Sequence, residues 1–268
     1  MKIVACMKQV LDLDQVLSSD WVVQENQTID LSYANRVINT YDELGLEMML
    51  RLQDQDPNCK SIALTVGTEE TESMLRKALA LLVGEAIRID CAISMNQMPQ
   101  AVARMLWAGI EKIDDVDLVI CGRQSSGSDY GQTGLILAEL LNWPCISLVT
   151  DFVRQNDQWM ITHQVDDGLE EVVVEGPVVL TMTQSADHFL RMATLRNTMV
   201  AKKKEITLWS LSELEKWKLA KKDAGVRLSK IFTIEDSKDC VMLDGPEIFV
   251  DRMIKEMKEV NRSEGVGL

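Results

Sequence analysis

Residues 118–145, LVICGRQSSGSDYGQTGLILAELLNWPC, restrict the possible folds more than any other stretch of the chain. Leu118 to Gly122 reads as a short buried strand, Gln124 to Gly131 as a small polar turn, and Leu135 to Leu141 as a helix that stops before Pro144. A strand, a glycine- and serine-rich turn and a helix together build phosphate sites. The first N–H groups of the helix have no internal partner, and its dipole favours an anion. Ser125, Ser126, Ser128 and Thr133 add hydroxyls at this turn, and Arg123 adds charge. Neither GxxxxGK[ST] nor GxGxxG is present. Two readings therefore stand: an anion site of another design, or a plain loop with Asp129 capping the helix and Gln132 three residues on as an approximate capping box.

The flanking sequence sets the fold class. Ile3–Met7, Ser61–Val66, Ala86–Ile89 and Val116–Cys121 read as short apolar strands. Tyr41–Leu52, Glu69–Val83 and Ala101–Ile113 have helical periodicity, and the first two have acids early and bases late. This alternation predicts an α/β fold: an open, mostly parallel sheet with helices on both faces. Ligands in such sheets lie outside the carboxyl ends of strands. Met7, Val66–Gly67 and the 122–131 turn all fall at such ends, so they converge although distant in sequence.

The pattern changes after Pro144. Trp159–Val165 and Leu169–Val174 flank Asp166–Asp167–Gly168 as a hairpin, and Pro177–Thr183 is one more strand. The hydrophobic rhythm then fades. The expected organisation is a core at 1–185, a segment at 186–207 that contains Lys202–Lys204, and an arm at 208–268 with two short amphipathic stretches and no obvious strand set. Such an arm needs another surface to bury against.

The net charge of −14 argues against nucleic acid, which requires basic patches. The six cysteines, at 6, 59, 91, 121, 145 and 240, include no CxxC, so no zinc or iron–sulfur spacing exists and no metal is expected. The start, MKIVACMKQV, reads as a first strand rather than a signal peptide. No apolar run reaches the ~18 residues of a membrane span. The expectation is a soluble, cytoplasmic protein with no membrane insertion.

Several segments resemble the β subunit of electron transfer flavoproteins, the ETF β (FixA) family, over nearly the whole chain. Val4–Ala5–Cys6–Met7–Lys8–Gln9–Val10 is similar to the family's opening strand and its K-x-V. Asn39–Thr40–Tyr41–Asp42–Glu43 with Leu46–Glu47 resembles its N-P-x-D-E-x-x-x-E segment, with threonine where proline is usual. Gly122–Ser126, Gln132–Thr133–Gly134 and Asn142–Trp143–Pro144 resemble its nucleotide loop. The 166–181 stretch, from Asp166–Asp167–Gly168 to Val179–Leu180–Thr181, looks like the family signature, with His163 at a position that is normally basic. Ala193–Thr194–Leu195–Arg196–Asn197, before three lysines, is similar to the loop that grips the partner dehydrogenase.

The resemblance implies a heterodimer with an ETF α subunit, which carries most of the redox FAD, while the β subunit buries a structural AMP. The contacts it implies fall on Cys6, Asn39, Thr40, Tyr41, Asp42 and Val66. They continue through Gln124, Ser125, Ser126, Gly127, Ser128, Asp129, Tyr130, Gly131, Gln132, Thr133, Gly134 and Leu135. Cys6 is expected to pack, with its backbone near the adenine, rather than to do redox chemistry. Leu195 is the implied anchor for a flavin dehydrogenase docking through 191–204, and the arm is expected to pack on the α subunit. No catalytic arrangement surrounds His163 or His188, and the resemblance implies an electron-carrier subunit rather than an enzyme. Such a carrier takes electrons from acyl-CoA or N-methyl amine dehydrogenases and passes them to a quinone reductase. The alternative is the electron-bifurcating branch, in which a second FAD replaces AMP and oxidises NADH. QSSGSDYGQTG differs from the QAIDGDTAQVG pattern of that branch. A third class, a stand-alone nucleotide-binding module of similar fold, does not account for the long segment after residue 185.

Overall fold

The computed structural model describes residues 1–25, 28–91, 98–214, 229–233, 243 and 245–263, and two compact units divide the chain at Ile231/Phe232. Cys240 and much of the expected arm lie outside the described residues. The first unit opens with β1 (Lys2–Cys6), β2 (Gln9–Leu11), β3 (Arg36–Ile38) and α1 (Thr40–Gln55). It continues with β4 (Lys60–Gly67), α2 (Glu72–Ala80), β5 (Glu85–Asp90), α3 (Pro99–Ile113), β6 (Leu118–Gly122) and α4 (Thr133–Leu141). Then follow β7 (Cys145–Gln155), β8 (Gln158–Val165), β9 (Gly168–Glu175), β10 (Val178–Met182), α5 (Leu195–Ala201) and β11 (Thr207–Ser210).

Among the described residues the main sheet has nine strands in the order β11-β5-β4-β1-β6-β10-β7-β8-β9, and β2 pairs with β3 apart from it. Pairing is parallel from β11 through β7 and antiparallel from β7 to β9. The fold is α/β, and the parallel part is covered on both faces. Apolar residues of α1 and α2 pack with Ile3, Ala5 and Ile120 on one face. Those of α3 and α4 pack with Val4, Leu64 and Val119 on the other. The alternating strand residues explain this: Ile3 and Ala5 point one way and Val4 the other, so each strand is apolar throughout. The chain winds from β1 outward through β4 and β5, then crosses back to β6 on the other side of β1. Helices change face at that crossing, and a crevice opens between the carboxyl ends of β1 and β6.

One close approach positions the crevice wall. A Cβ on Gly45 of α1 would lie 2.6 Å from Ile120 Cγ2 of β6, so glycine lets the helix lie directly on the strand. Asp42 is three residues earlier on the same helical face and is thereby brought over Gly122.

The hairpin forms where expected, with Asp166 and Asp167 in its turn. Its buried anchor is Trp159, edge-on to Phe152 with centroids 6.2 Å apart and Nε1–H donating to the Gly176 carbonyl at 3.2 Å. Two features depart from the sequence reading. Cys145–Gln155 is a long strand, carrying register shifts near Val149 and Leu180 and a positive φ at Leu148 that hide its alternation. Thr207–Ser210, where no strand was expected, pairs in parallel with β5 at the sheet edge.

Within the second unit, α6 (Pro246–Ser263) carries Ile248, Phe249, Val250, Met253, Ile254 and Met257, all exposed. Among the described residues no helix is long and apolar enough to cross a membrane.

Candidate functional site

The crevice at the ends of β1, β4 and β6 is a cleft of about 490 Å³. Its floor is the backbone of Cys6–Met7–Lys8. Buried Thr65 fixes that segment by donating its hydroxyl to the Met7 carbonyl at 2.8 Å, while the Met7 N–H donates to Leu64 at 2.9 Å. Val66, Gly67, Thr68 and Thr71 form one wall, and Gly122–Ser125 with Tyr130–Thr133 form the other.

Asp42 is the bracket of the site. Its carboxylate accepts the Lys8 N–H at 2.6 Å and the Asn39 side-chain amide at 3.1 Å, and the Gly122 N–H also donates to it. The same Asn39 amide donates to the Gln124 carbonyl at 2.8 Å, which joins the start of α1 to the turn after β6. Burial pushes the Asp42 carboxyl up to about 7, against those hydrogen bonds and the Lys8 charge. Gly122 is required by this crowding, since a Cβ there would meet Asp42 Oδ1 at 2.2 Å.

Lys8 Nζ reaches the serine turn and donates to Ser125 Oγ at 2.9 Å and Ser128 Oγ at 3.3 Å. Burial lowers its pKa and the Asp42 charge opposes that shift. The start of α4 lines the same cleft. The helix cap is Gln132, whose side chain makes no capping bond. The capped-loop expectation is corrected here: Asp129 does not cap α4 but sits at φ +52° with its N–H donating to the Ser125 carbonyl at 3.0 Å. Among the described residues the leading N–H groups of α4 are thus left without a side-chain cap, in the same cleft as a half-buried ammonium and two hydroxyls. This donor set suits a phosphate oxyanion and needs no metal. Among the described residues no cluster of His, Cys, Asp and Glu is arranged to hold a metal ion.

The implied contact residues divide into two groups. Cys6, Asn39, Asp42, Val66, Gln124, Ser125, Ser128, Tyr130, Gly131, Gln132 and Thr133 line the cleft. Thr40, Tyr41, Ser126, Gly127, Asp129, Gly134 and Leu135 do not. Tyr41 instead supports Arg123, whose guanidinium lies 5.3 Å from its ring centre. Gly134 is a packing glycine: a Cβ there would come within 2.7 Å of Thr181 Cγ2.

The structure adds lining residues the sequence did not single out for the site, chiefly Lys8, Arg36 and Glu70, the last two paired at 3.0 Å. Lys8 had a signal, the K-x-V after the first strand; Arg36 had none. Outside the cleft, Leu195 is 79% exposed at the first position of α5, and the segment expected as a loop is helical from Leu195 to Ala201. His163 and His188 each face a carboxylate at 3.6 Å, Glu170 and Asp151 respectively.

A model of the electron transfer flavoprotein domain matches residues 27–214. The chain is 31% identical over 208 residues to the mitochondrial electron transfer flavoprotein subunit beta of Oryza sativa subsp. japonica, covering 77% of this chain and 80% of that one. It is 28% identical over 214 residues to the caffeyl-CoA reductase-Etf complex subunit CarD of Acetobacterium woodii, covering 80% of each. It is 26% identical over 269 residues to the acryloyl-CoA reductase electron transfer subunit gamma of Anaerotignum propionicum, covering 96% of this chain and 99% of that one.

Proposed function

The chain belongs to the electron transfer flavoprotein β-subunit family, and we propose that it works as the AMP-holding half of an αβ electron carrier. The observation that carries the nucleotide reading is Lys8 Nζ on the Ser125 and Ser128 hydroxyls in a cleft that the uncapped start of α4 also lines. That arrangement has the donors for one phosphate, with the adenosine in the rest of the cleft against Cys6, Val66 and the backbone of the β1 end. The nucleotide is structural: it satisfies the α4 N–H groups and the Lys8 charge, and it braces the two halves of the sheet at the crossing.

The redox group is FAD, held mainly by the α subunit, where it supplies one- and two-electron transfer. This chain's part is to form the β side of the cleft around that flavin, to bind the α subunit with its arm, and to present residues 191–204 to a flavin dehydrogenase of the acyl-CoA or N-methyl amine type. Electrons then pass to a quinone reductase. Denaturing the purified αβ complex and identifying the released nucleotides by mass tests this. One AMP and one FAD per complex are expected.

A second reading is the bifurcating branch, in which the β cleft holds a second FAD that accepts hydride from NADH. It is favoured by the matches over most of this chain to subunits named for caffeyl-CoA reductase and acryloyl-CoA reductase complexes. Two FAD and no AMP per complex would select it.

A further inference from the structure

Glu47 completes the N-x-x-D-E-x-x-x-E segment, yet it does not reach the nucleotide cleft. It lies one turn and a half along α1 from Asp42, buried at 4% exposure, and its partner is Arg191. Arg191 Nε donates to Glu47 Oε2 at 3.0 Å and Nη2 to Oε1 at 2.9 Å, a two-pronged pairing. The Arg191 backbone N–H adds a third bond to Oε2 at 3.0 Å, and Nη1 reaches Asp54 at 2.7 Å. Arg51 shares Glu47 Oε1 at 3.3 Å. Burial pushes the Glu47 carboxyl up, but the bonds from Arg191 outweigh it and hold the group below its ordinary range.

The far end of the same segment is held in a second way. Arg76 of α2 donates to the Ala201 carbonyl at 2.9 Å and also to the Lys204 carbonyl. Between these two fastenings lies a helix of seven residues in which only Ala201 is buried. A helix that short does not persist in water by itself. It also has little apolar burial to hold it, because Met192, Leu195 and Met199 are 87%, 79% and 62% exposed. Beside its packing on α2 through Ala201, the helix is fixed by the arginine bonds at its two ends and by the Thr194 cap, which accepts the Asn197 N–H at 3.2 Å.

We propose that Glu47 and Arg76 are positioning residues that clamp the two ends of the 191–204 segment and hold its methionine–leucine face in one orientation for the docking dehydrogenase; the docking half of this rests on the carrier reading above. Glu47 thereby has a role separate from its neighbours Asn39 and Asp42, which shape the cleft.

The test uses the flavin-loaded αβ complex and hydrogen exchange read by mass spectrometry. In Arg191→Ala the amides of 192–201 should exchange about tenfold faster or more, as loss of a charged hydrogen-bonded pair predicts. Glu47→Gln should do the same, and the double variant no more than either. Arg191→Lys, which keeps the charge but not the fork, should fall between. Nucleotide and flavin content should not change. With an acyl-CoA dehydrogenase reduced by its acyl-CoA, Arg191→Ala should raise the apparent KM for the carrier about tenfold at constant kcat, with Arg191→Lys recovering most of it. Unchanged exchange in both Arg191→Ala and Arg191→Lys overturns the clamp. Faster exchange with unchanged KM, where Leu195→Ala does raise KM, overturns the positioning role. Faster exchange with KM unmoved by Leu195→Ala as well leaves the clamp standing and removes the docking reading instead.

Discussion

Asp42 Oδ2 accepts the backbone N–H of Lys8 at 2.6 Å, a bond that spans 34 residues and ties the first turn of α1 to the end of β1. It aims the Lys8 side chain across the crevice at Ser125 and Ser128. A half-buried ammonium there, with its pKa lowered by desolvation, is best stabilised by an anion. Lys8→Met should therefore weaken nucleotide retention. A charged hydrogen bond is worth about 1.5–3 kcal/mol, or roughly 10- to 100-fold in affinity. Dialysis of the αβ complex followed by nucleotide quantification measures it, and retention equal to the parent's would remove Lys8 from the phosphate.

Asp42 also gives the fold a pH dependence. Its carboxyl ionises near 3.8 when unfolded and is pushed up to about 7 when folded. Between these values the folded chain keeps a proton that the unfolded chain has released. Its contribution to stability is therefore full below 3.8, declines as pH rises, and is gone above about 7. Asp42→Asn keeps an acceptor for the Lys8 N–H and removes the titration. The melting temperature of the parent should fall relative to that of Asp42→Asn across this window. Parallel curves for the two proteins would mean that Asp42 is already ionised at low pH.

Gly122→Ala tests the same crowding by size. The added methyl would lie 2.2 Å from Asp42 Oδ1 and 3.0 Å from both Asn39 Nδ2 and Tyr41 Cβ. Overpacking of this kind costs about 1–3 kcal/mol. The substitution should lower the melting temperature and loosen the nucleotide together, because the carboxylate it displaces holds Lys8. A stable variant that retains its nucleotide would show that the carboxylate can move without loss.

How far the sequence could be read follows from the range of each interaction. The β6–α4 turn was legible because strand, turn and helix signals are local, as were the two aspartates of the hairpin turn. Convergence of Met7, Val66 and the 122–131 turn followed from the parallel topology alone. The Asp42–Gly122 contact was not legible, because it depends on Gly45 letting α1 lie on β6. Of the two readings of the turn, the Asp129 cap fails: Asp129 is a good capping residue, but the turn runs three residues further before the helix begins at Thr133. Thr207–Ser210 was missed because an edge strand of four residues, with Leu208 half-exposed, has neither length nor alternation to announce it. Arg191 and Glu47 are 144 residues apart, and nothing in either neighbourhood pairs them.

Leu195 gives the prediction that separates docking from folding. It sits at the first turn of α5, 79% exposed, after the Thr194 cap. Alanine is at least as good a helix former, and no core contact is lost, so Leu195→Ala should leave αβ assembly, flavin content and melting temperature intact. Chemical reduction of the flavin by dithionite should keep its rate, since that reagent needs no docking. Transfer from the dehydrogenase is different. An apolar anchor lost from an interface hot spot costs about 2 kcal/mol, or ~30-fold in affinity. The apparent KM for the carrier should rise accordingly in a titration that spans it, with kcat little changed because the path from donor to flavin is untouched once the complex forms. Met192 and Met199 flank the leucine and are also exposed, and their flexible side chains can fill part of the vacated pocket. The single substitution should therefore fall short of the triple Met192→Ala, Leu195→Ala, Met199→Ala variant. If all three can be replaced without moving KM, the dehydrogenase docks elsewhere and this face is plain surface.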